Sequence, residues 1–436
     1  MMLNASGLLC KLKNNNFITL LLKSGGVKVA SVAAVFLISV FLSRILGPEG
    51  YGIYTYAFAV AMLVGLPLHG GLSTLIVRSV AQYKLQDEWG CIKGLKKRSN
   101  QVVIAACIVV GIFLGTYFSY LEDQLSKFTH ELSIFLIPIV SLAAIRSSFL
   151  RGLGQPILAQ LPEDLLRPYA CIGLLFICHY FLGLSPQLAM GVYIVASACA
   201  LLVGQLILTR QMPAEVLSSE VSYQNRRWMK GVMPFTLIAG IQMLNNQLDV
   251  LMIGSMLGKS AVGVYQVAAQ VVILVSFPLM VINYVVAPKY AVCFLSDNTE
   301  SIRNLISSST KLILIISVPI ALLFIIFGDW FVSMVFGVAY SAAYIPLVIL
   351  VVGQLVNALV GSVAVLLNMA GYENYVATGF GISVLINAVL NFVLVPVWGI
   401  NGAAVATTST LVIWNVYMMI ILWEKERIKS GVFGLY

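Results

Sequence analysis

The sequence predicts an all-α polytopic membrane protein, with twelve transmembrane helices in two pseudo-symmetric six-helix lobes and both termini cytoplasmic. Three observations carry this expectation. The 436 residues are 60% hydrophobic and only 10% charged, where soluble domains carry about 25% charged residues; mean hydropathy is +0.96. Twelve apolar runs have the length to cross a bilayer. A segment of the first half recurs in the second.

A helix needs about 20 mostly apolar residues to cross the hydrocarbon core. Residues 1–27 come before the first such run. Their lysines are scattered, the apolar stretch Phe17–Leu22 is short, and no small-residue cleavage site follows, so they do not read as a cleavable signal. Leu8, Leu9, Leu12, Ile18 and Leu22 can line one side of an interfacial helix; a loosely ordered tail is the alternative. The runs then lie near 28–46, 52–77, 101–119, 132–150, 168–184 and 187–209, and near 232–256, 262–288, 312–328, 344–369, 376–396 and 400–422. The second is broken by Gly65, Pro67, Gly70 and Gly71. The expected division is an interfacial segment at 1–27, an N-lobe at 28–209, a cytoplasmic linker at 210–231, a C-lobe at 232–423 and a cytoplasmic tail at 424–436.

Charge in the connections supports the count independently. With the N-terminus inside, 23 of the 26 Lys and Arg residues fall in inner segments and only Arg44, Lys127 and Lys259 in outer ones. That asymmetry is what the positive-inside rule requires. A net charge of +9 does not imply nucleic acid, because no extramembrane segment is long enough to form a basic domain. The seven cysteines are odd in number, form no CxxC pair and mostly sit in apolar runs, so they read as small apolar fillers. No GxSxG, HExxH, DxD or Walker pattern appears, and the basic stretch Lys93–Arg98 reads as a solvated loop. No cofactor, no metal and no catalytic residue is expected.

The repeat fixes the architecture. At a shift of 211 residues, 43–68 lies on 254–279 without a gap and matches at ten of 26 positions. The matches include Gly47 with Gly258, Gly52 with Gly263, Tyr54 with Tyr265 and Pro67 with Pro278, and the same shift places Arg78 on Lys289. Two like-oriented halves of six helices are the parallel-repeat plan of many secondary transporters, with the substrate path expected between them. Pro67 and Pro278 each remove a backbone donor within a helix, which suits elements that bend; a static kink kept for packing is the other reading.

Charged groups inside spans are costly unless they meet a partner or water. Asp249 is the one carboxylate that the apolar runs place clearly within a span. Gln242, Asn245 or Asn246, and Asp249 recur at helical spacing and share one face, expected to line a polar lumen and to take part in ion or proton coupling; a structural polar cluster is the alternative. Arg78, Arg146, Arg151, Lys289 and Lys28 stand at inner helix ends and are candidates for holding a diphosphate through charge-assisted bonds. Snorkelling to headgroups is their bland reading. Asn387 and Asn391, four apart on one helix face, suit either sugar hydroxyls or interhelical bonding.

Several blocks carry a family resemblance. They are SRILGPEGYGIYTYA from residue 43, GGLSTLIVRSVAQY from 70, LRGLGQPILAQLPEDLLRP at 150–168, LDVLMIGSMLGKSAVGVYQVAAQ at 248–270 and NFVLVPVWGINGAAVATTST at 391–410. Together, over about residues 24–423, the chain resembles bacterial polysaccharide and O-antigen flippases of the Wzx type, within the superfamily of multidrug, oligosaccharidyl-lipid and polysaccharide exporters. The resemblance implies a MATE-like two-lobed fold. It also implies alternating-access movement of a polyprenyl-diphosphate-linked oligosaccharide to the outer leaflet of the bacterial inner membrane. Expected partners are that lipid-linked substrate and membrane lipids, with a polysaccharide polymerase and a chain-length regulator as further candidates. A multidrug or cation antiporter of the same fold is the alternative. A membrane glycosyltransferase or polymerase fits less well, for want of a catalytic loop.

Overall fold

The computed structural model describes residues 15–119, 124–295, 299–428 and 430–434. All regular structure among them is helical, as expected of a chain whose backbone groups find no water in lipid and must be paired within each segment. In chain order the helices are α1 (Asn15–Leu85), α2 (Trp89–Ser119), α3 (Gln124–Ile134), α4 (Leu136–Gly152), α5 (Pro156–Gln160), a π-helical turn (Leu161–Leu166), α6 (Arg167–Leu182), α7 (Pro186–Gln211), α8 (Ala214–Ser218) and α9 (Asn225–Met256). There follow α10 (Lys259–Leu295), α11 (Thr299–Val335), a 3-10 turn (Val338–Ala343), α12 (Tyr344–Val360), α13 (Val363–Met369), α14 (Glu373–Trp398) and α15 (Ile400–Glu426). Of the expected interfacial stretch, residues 1–14 lie outside the description, as do the side chains of 15–24.

Ten helices among the described residues are long and apolar enough to cross a membrane. The runs at 28–46 and 52–77 both fall in α1, which is helical over 71 residues except at Gly47 (φ 66°, ψ 178°). Glycine takes this left-handed conformation without a Cβ clash, and Pro48 follows with a φ already suited to a first helical turn. Gly258, its partner in the repeat, also has positive φ (91°) and joins α9 to α10. The sequence repeat is therefore also a repeat of backbone reversal.

Two boundaries need correction. The run expected at 344–369 is divided at Gly361 (φ 72°) and Ser362 into α12 and α13. The fifth run, expected at 168–184, extends in the structure over Pro156–Leu182, through α5, the π-helical turn and α6. Glu163 and Asp164 thus fall within a helical stretch long and apolar enough to cross a membrane, whereas α9, which bears Asp249, is not among the ten. The expectation stopped at the Pro-Glu-Asp sequence because carboxylates interrupt an apolar run; pairing with cations, described below, is what lets them stay.

By their contacts, the described residues within Gly26–Gln247 form one compact unit, and those from Leu248 onward, with the described residues before Gly26, form another. The division falls inside α9. In the first unit an apolar core runs from Ala61 and Leu72 through Ile92, Val103 and Phe149 to Trp228. In the second, Leu279, Ile313, Leu366 and Met418 belong to the corresponding core.

The early part of α9 packs closely on α1. A Cβ on Gly71 would lie 2.6 Å from the Thr236 nitrogen and 2.8 Å from its Cα, so only glycine permits that approach. The stretch leading into α9 is fastened to the α1–α2 hairpin. Lys93 Nζ donates to the carbonyls of Leu217 (2.7 Å) and Ser219 (2.9 Å). The Ser222 amide donates to the Gly90 carbonyl at 3.1 Å. Trp228 Nε1 donates to the Tyr83 hydroxyl at 2.9 Å, which donates in turn to Gln224 Oε1 at 3.1 Å.

Candidate functional site

In the second unit a polar cluster forms around Asp249 on α9. Its Oδ2 accepts from the Tyr265 hydroxyl of α10 and from Thr407 Oγ1 of α15, each at 2.6 Å, and its Oδ1 accepts from Asn391 Nδ2 of α14 at 2.9 Å. Asn391 Nδ2 also reaches the carbonyl and Oδ1 of Asn387, one turn earlier, at 3.0 and 3.1 Å. Asn387 Nδ2 donates to Thr407 Oγ1 at 3.4 Å. Asn387 and Asn391 are buried. Three helices beside α9 thus converge on one carboxylate through neutral donors alone, while the buried Asn391 Oδ1 has no hydrogen-bond partner. A carboxylate oxygen beside an open amide oxygen can take a proton or a hard cation.

The sequence singled out Asp249, Asn387 and Asn391, and the structure brings these three together. Gln242, Asn245 and Asn246 are not part of the cluster: all three are exposed and lie in the first unit. Tyr265 and Thr407 were not picked out by sequence reasoning. Tyr265 carried a signal, since it is one of the ten repeat matches; Thr407 sits in the quoted block at 391–410 with nothing to distinguish it from Thr408.

In the first unit Arg146 and Lys28 pair with carboxylates. Arg146, in the last turns of α4, is 2% exposed and its Nη2 bonds both carboxylate oxygens of Glu163 in the π-helical turn. Its Nε and Nη1 have no partner. Gly204 of α7 makes room for the guanidinium: a Cβ there would run into it. Lys28 Nζ bonds Asp164 Oδ1 at 3.1 Å. Arg167 lies over the Tyr193 ring, 5.5 Å from its centroid, within cation–π range. A cavity of about 140 Å³ is bordered by Glu163, Arg167, Ser147 and Ser197.

The remaining diphosphate candidates divide by their surroundings. Arg151 is exposed and donates to Ser148 Oγ at 3.1 Å. Arg78 and Lys289, equivalent in the repeat, are exposed, and neither has a hydrogen bond or ion pair among the described residues. Pro278 is buried within the continuous helix α10. Pro67 lies within α1, with its side chain outside the described ones.

Comparison with known proteins gives a consistent result. Residues 21–291 match the family described as polysaccharide biosynthesis protein, and residues 234–393 match the MatE family. A probable low-salt glycan biosynthesis flippase of Haloferax volcanii is 27% identical over 199 residues, 45% of this chain and 42% of that relative. The match thus spans less than half of that protein. A putative O-antigen transporter of Shigella flexneri is 22% identical over 385 residues, covering 86% of this chain and 90% of the relative. Among solved structures, an inward-facing multidrug resistance MATE family transporter of the MOP superfamily superposes with a TM-score of 0.72 at 14% identity, over 91% of this chain and 94% of that one. The lipid II flippase MurJ in an inward closed conformation gives the same score and identity, over 91% and 87%. The fold is that of these transporters.

Proposed function

This chain belongs to the polysaccharide biosynthesis protein family, and from that premise we propose that it is a flippase for a polyprenyl-diphosphate-linked oligosaccharide. The reading is supported by the two relatives, a glycan flippase and an O-antigen transporter. It places twelve spans, both termini in the cytoplasm, lobes at 28–209 and 232–423, and the protein in a bacterial inner membrane. A polysaccharide polymerase and a chain-length regulator are the partners such an exporter would serve.

Arg78, in the first unit, and Lys289, in the second, are each assigned to contact with phosphate oxygens. The observation that carries this assignment is the sorting of the cations: carboxylates occupy Arg146 and Lys28, whereas Arg78 and Lys289 stand exposed at repeat-equivalent positions with no acidic partner among the described residues. Guanidinium and ammonium groups so placed give charge-assisted bonds to phosphate oxygens. Pro67 and Pro278 loosen the two equivalent helices as the lobes alternate in access. Asp249, with Asn387, Asn391, Tyr265 and Thr407, takes a proton or cation, whose release is coupled to the return of the empty carrier. Gln242, Asn245 and Asn246 offer polar surface for sugar hydroxyls.

The test is the double substitution Arg78→Ala with Lys289→Ala in a strain dependent on this protein. Surface polysaccharide is expected to fall at least tenfold while protein level is unchanged; wild-type output removes the diphosphate assignment. The match to the MatE family, which contains Asn387, Asn391 and the Tyr265 position, favours one second reading, cation-coupled drug antiport. That reading predicts drug resistance on overexpression and no accumulation of lipid-linked glycan on deletion.

A further inference from the structure

A cavity of about 400 Å³ opens between α1, α2 and the start of α9, within the first unit. Its size is within the usual range for small-ligand sites. The body is apolar, with Val102 and Ala106 from α2 facing Met229 and Met233 from α9, and Arg98 and Asn225 stand at one end. No carboxylate lines it. Both long walls change character along their length. On α2 the basic stretch 93–98 gives way to an apolar run from Val102; on α9 the basic residues Arg226, Arg227 and Lys230 give way to mostly apolar residues from Gly231 onward. Two helices thus turn from basic to apolar around one cavity, as at a border between headgroups and hydrocarbon. Val102, Met229 and Met233 are exposed large apolar residues. Lys97, Arg98 and Arg226 are exposed and have no hydrogen bond or ion pair among the described residues. Tyr83 and Trp228, hydrogen-bonded to each other, brace the wall.

We propose that this cavity is a binding site for an anionic phospholipid, its phosphate on Arg98 and one acyl chain along Val102, Ala106, Met229 and Met233. A water-soluble anion would leave the apolar body empty, and a zwitterionic lipid would bring its own cation to the end where Arg98 stands. Basic pockets between membrane helices recognise lipid headgroups by this combination, and methionine adapts to a flexible chain. The occupant fills the seam where α9 leaves the α1–α2 hairpin, so it fastens that helix in place.

Native mass spectrometry and thermal unfolding of the full chain in detergent test the site, with phosphatidylglycerol, phosphatidylcholine and a polyprenyl phosphate as separate probes. Phosphatidylglycerol should be retained at least fivefold more than phosphatidylcholine and should raise Tm, since a ligand bound only by the folded state stabilises it. Arg98→Ala, at an exposed position, and Ala106→Trp, which fills the cavity, should each cut retention at least fivefold. Equal retention of the zwitterionic lipid, tighter retention of the polyprenyl phosphate, or unchanged retention in Arg98→Ala each overturns the proposal. If Ala106→Trp does not fold, Arg98→Ala alone decides. None of these readouts involves glycan transport, so the outcome is independent of the proposed function.

Discussion

Replacing Asp249 by asparagine separates charge from shape. The carboxylate accepts from Tyr265 and Thr407 at 2.6 Å and from Asn391 at 2.9 Å. Hydrogen bonds to a charged group contribute about 2 kcal/mol each, so three give about 6 kcal/mol. Taking one carboxylate out of water costs several kcal/mol, and the two terms nearly cancel. In Asp249→Asn the amide oxygen still accepts from Asn391, and the Tyr265 and Thr407 hydroxyls can turn to accept from the new amide hydrogens. The expected change in stability is therefore within about 2 kcal/mol. Asp249→Ala differs, because it strands the Tyr265 and Thr407 hydroxyl donors at about 1–3 kcal/mol each, while Asn391 keeps its bonds to Asn387, a loss of at least about 2 kcal/mol. The assay uses proteoliposomes containing a fluorescent polyprenyl-diphosphate oligosaccharide, with a proton or sodium gradient imposed, and follows the initial rate of appearance in the opposite leaflet. Asp249→Asn should lose at least tenfold of the gradient stimulation while its Tm stays within a few degrees of wild type. A full gradient response in that folded variant would refute the coupling role of the carboxylate.

Other outcomes follow from the remaining contacts. Arg146→Met should destabilise the protein by about 3 kcal/mol, since it removes the hydrogen-bonded partner of the Glu163 carboxylate and leaves it only Arg167 nearby; adding Glu163→Leu should recover part of the loss, as read by thermal unfolding. Gly71→Leu should cost about 1–3 kcal/mol by overpacking α1 against α9, with Gly71→Ala milder, in the same measurement. Trp228→Phe removes the donor to the Tyr83 hydroxyl and should cost about 1 kcal/mol, accompanied by faster proteolysis between Met212 and Asn225.

The all-helical fold was legible because lipid allows a helix only one chemical signature, and ten helices among the described residues are long and apolar enough to cross a membrane. Asp249 was legible for the converse reason, that a carboxylate in such a run is conspicuous. Its partnership with Asn387, Asn391 and Thr407 was not, since contacts across 142 and 158 residues of chain leave no mark on helical periodicity. Grouping Gln242, Asn245 and Asn246 with Asp249 followed from their shared helix face, but α9 changes its surroundings along its length, so one face meets different neighbours. Glu163 and Asp164 escaped notice because a paired carboxylate reads, in sequence, like the end of a span. Arg146 looked like a substrate cation for the same reason: its partner is 17 residues away, beyond the reach of any local pattern.

The one- and two-residue connections at Gly47 and at Leu257-Gly258 have a practical consequence, shared by Gly399, which joins α14 directly to α15 with φ 58°. Each leaves no spare chain between the helices it connects, so an epitope or fluorescent protein inserted there would have to pull two spans apart. Reporter cysteines for mapping sidedness belong instead on the flanking exposed positions, such as Glu49 and Ser260, where a thiol can react without disturbing the bend.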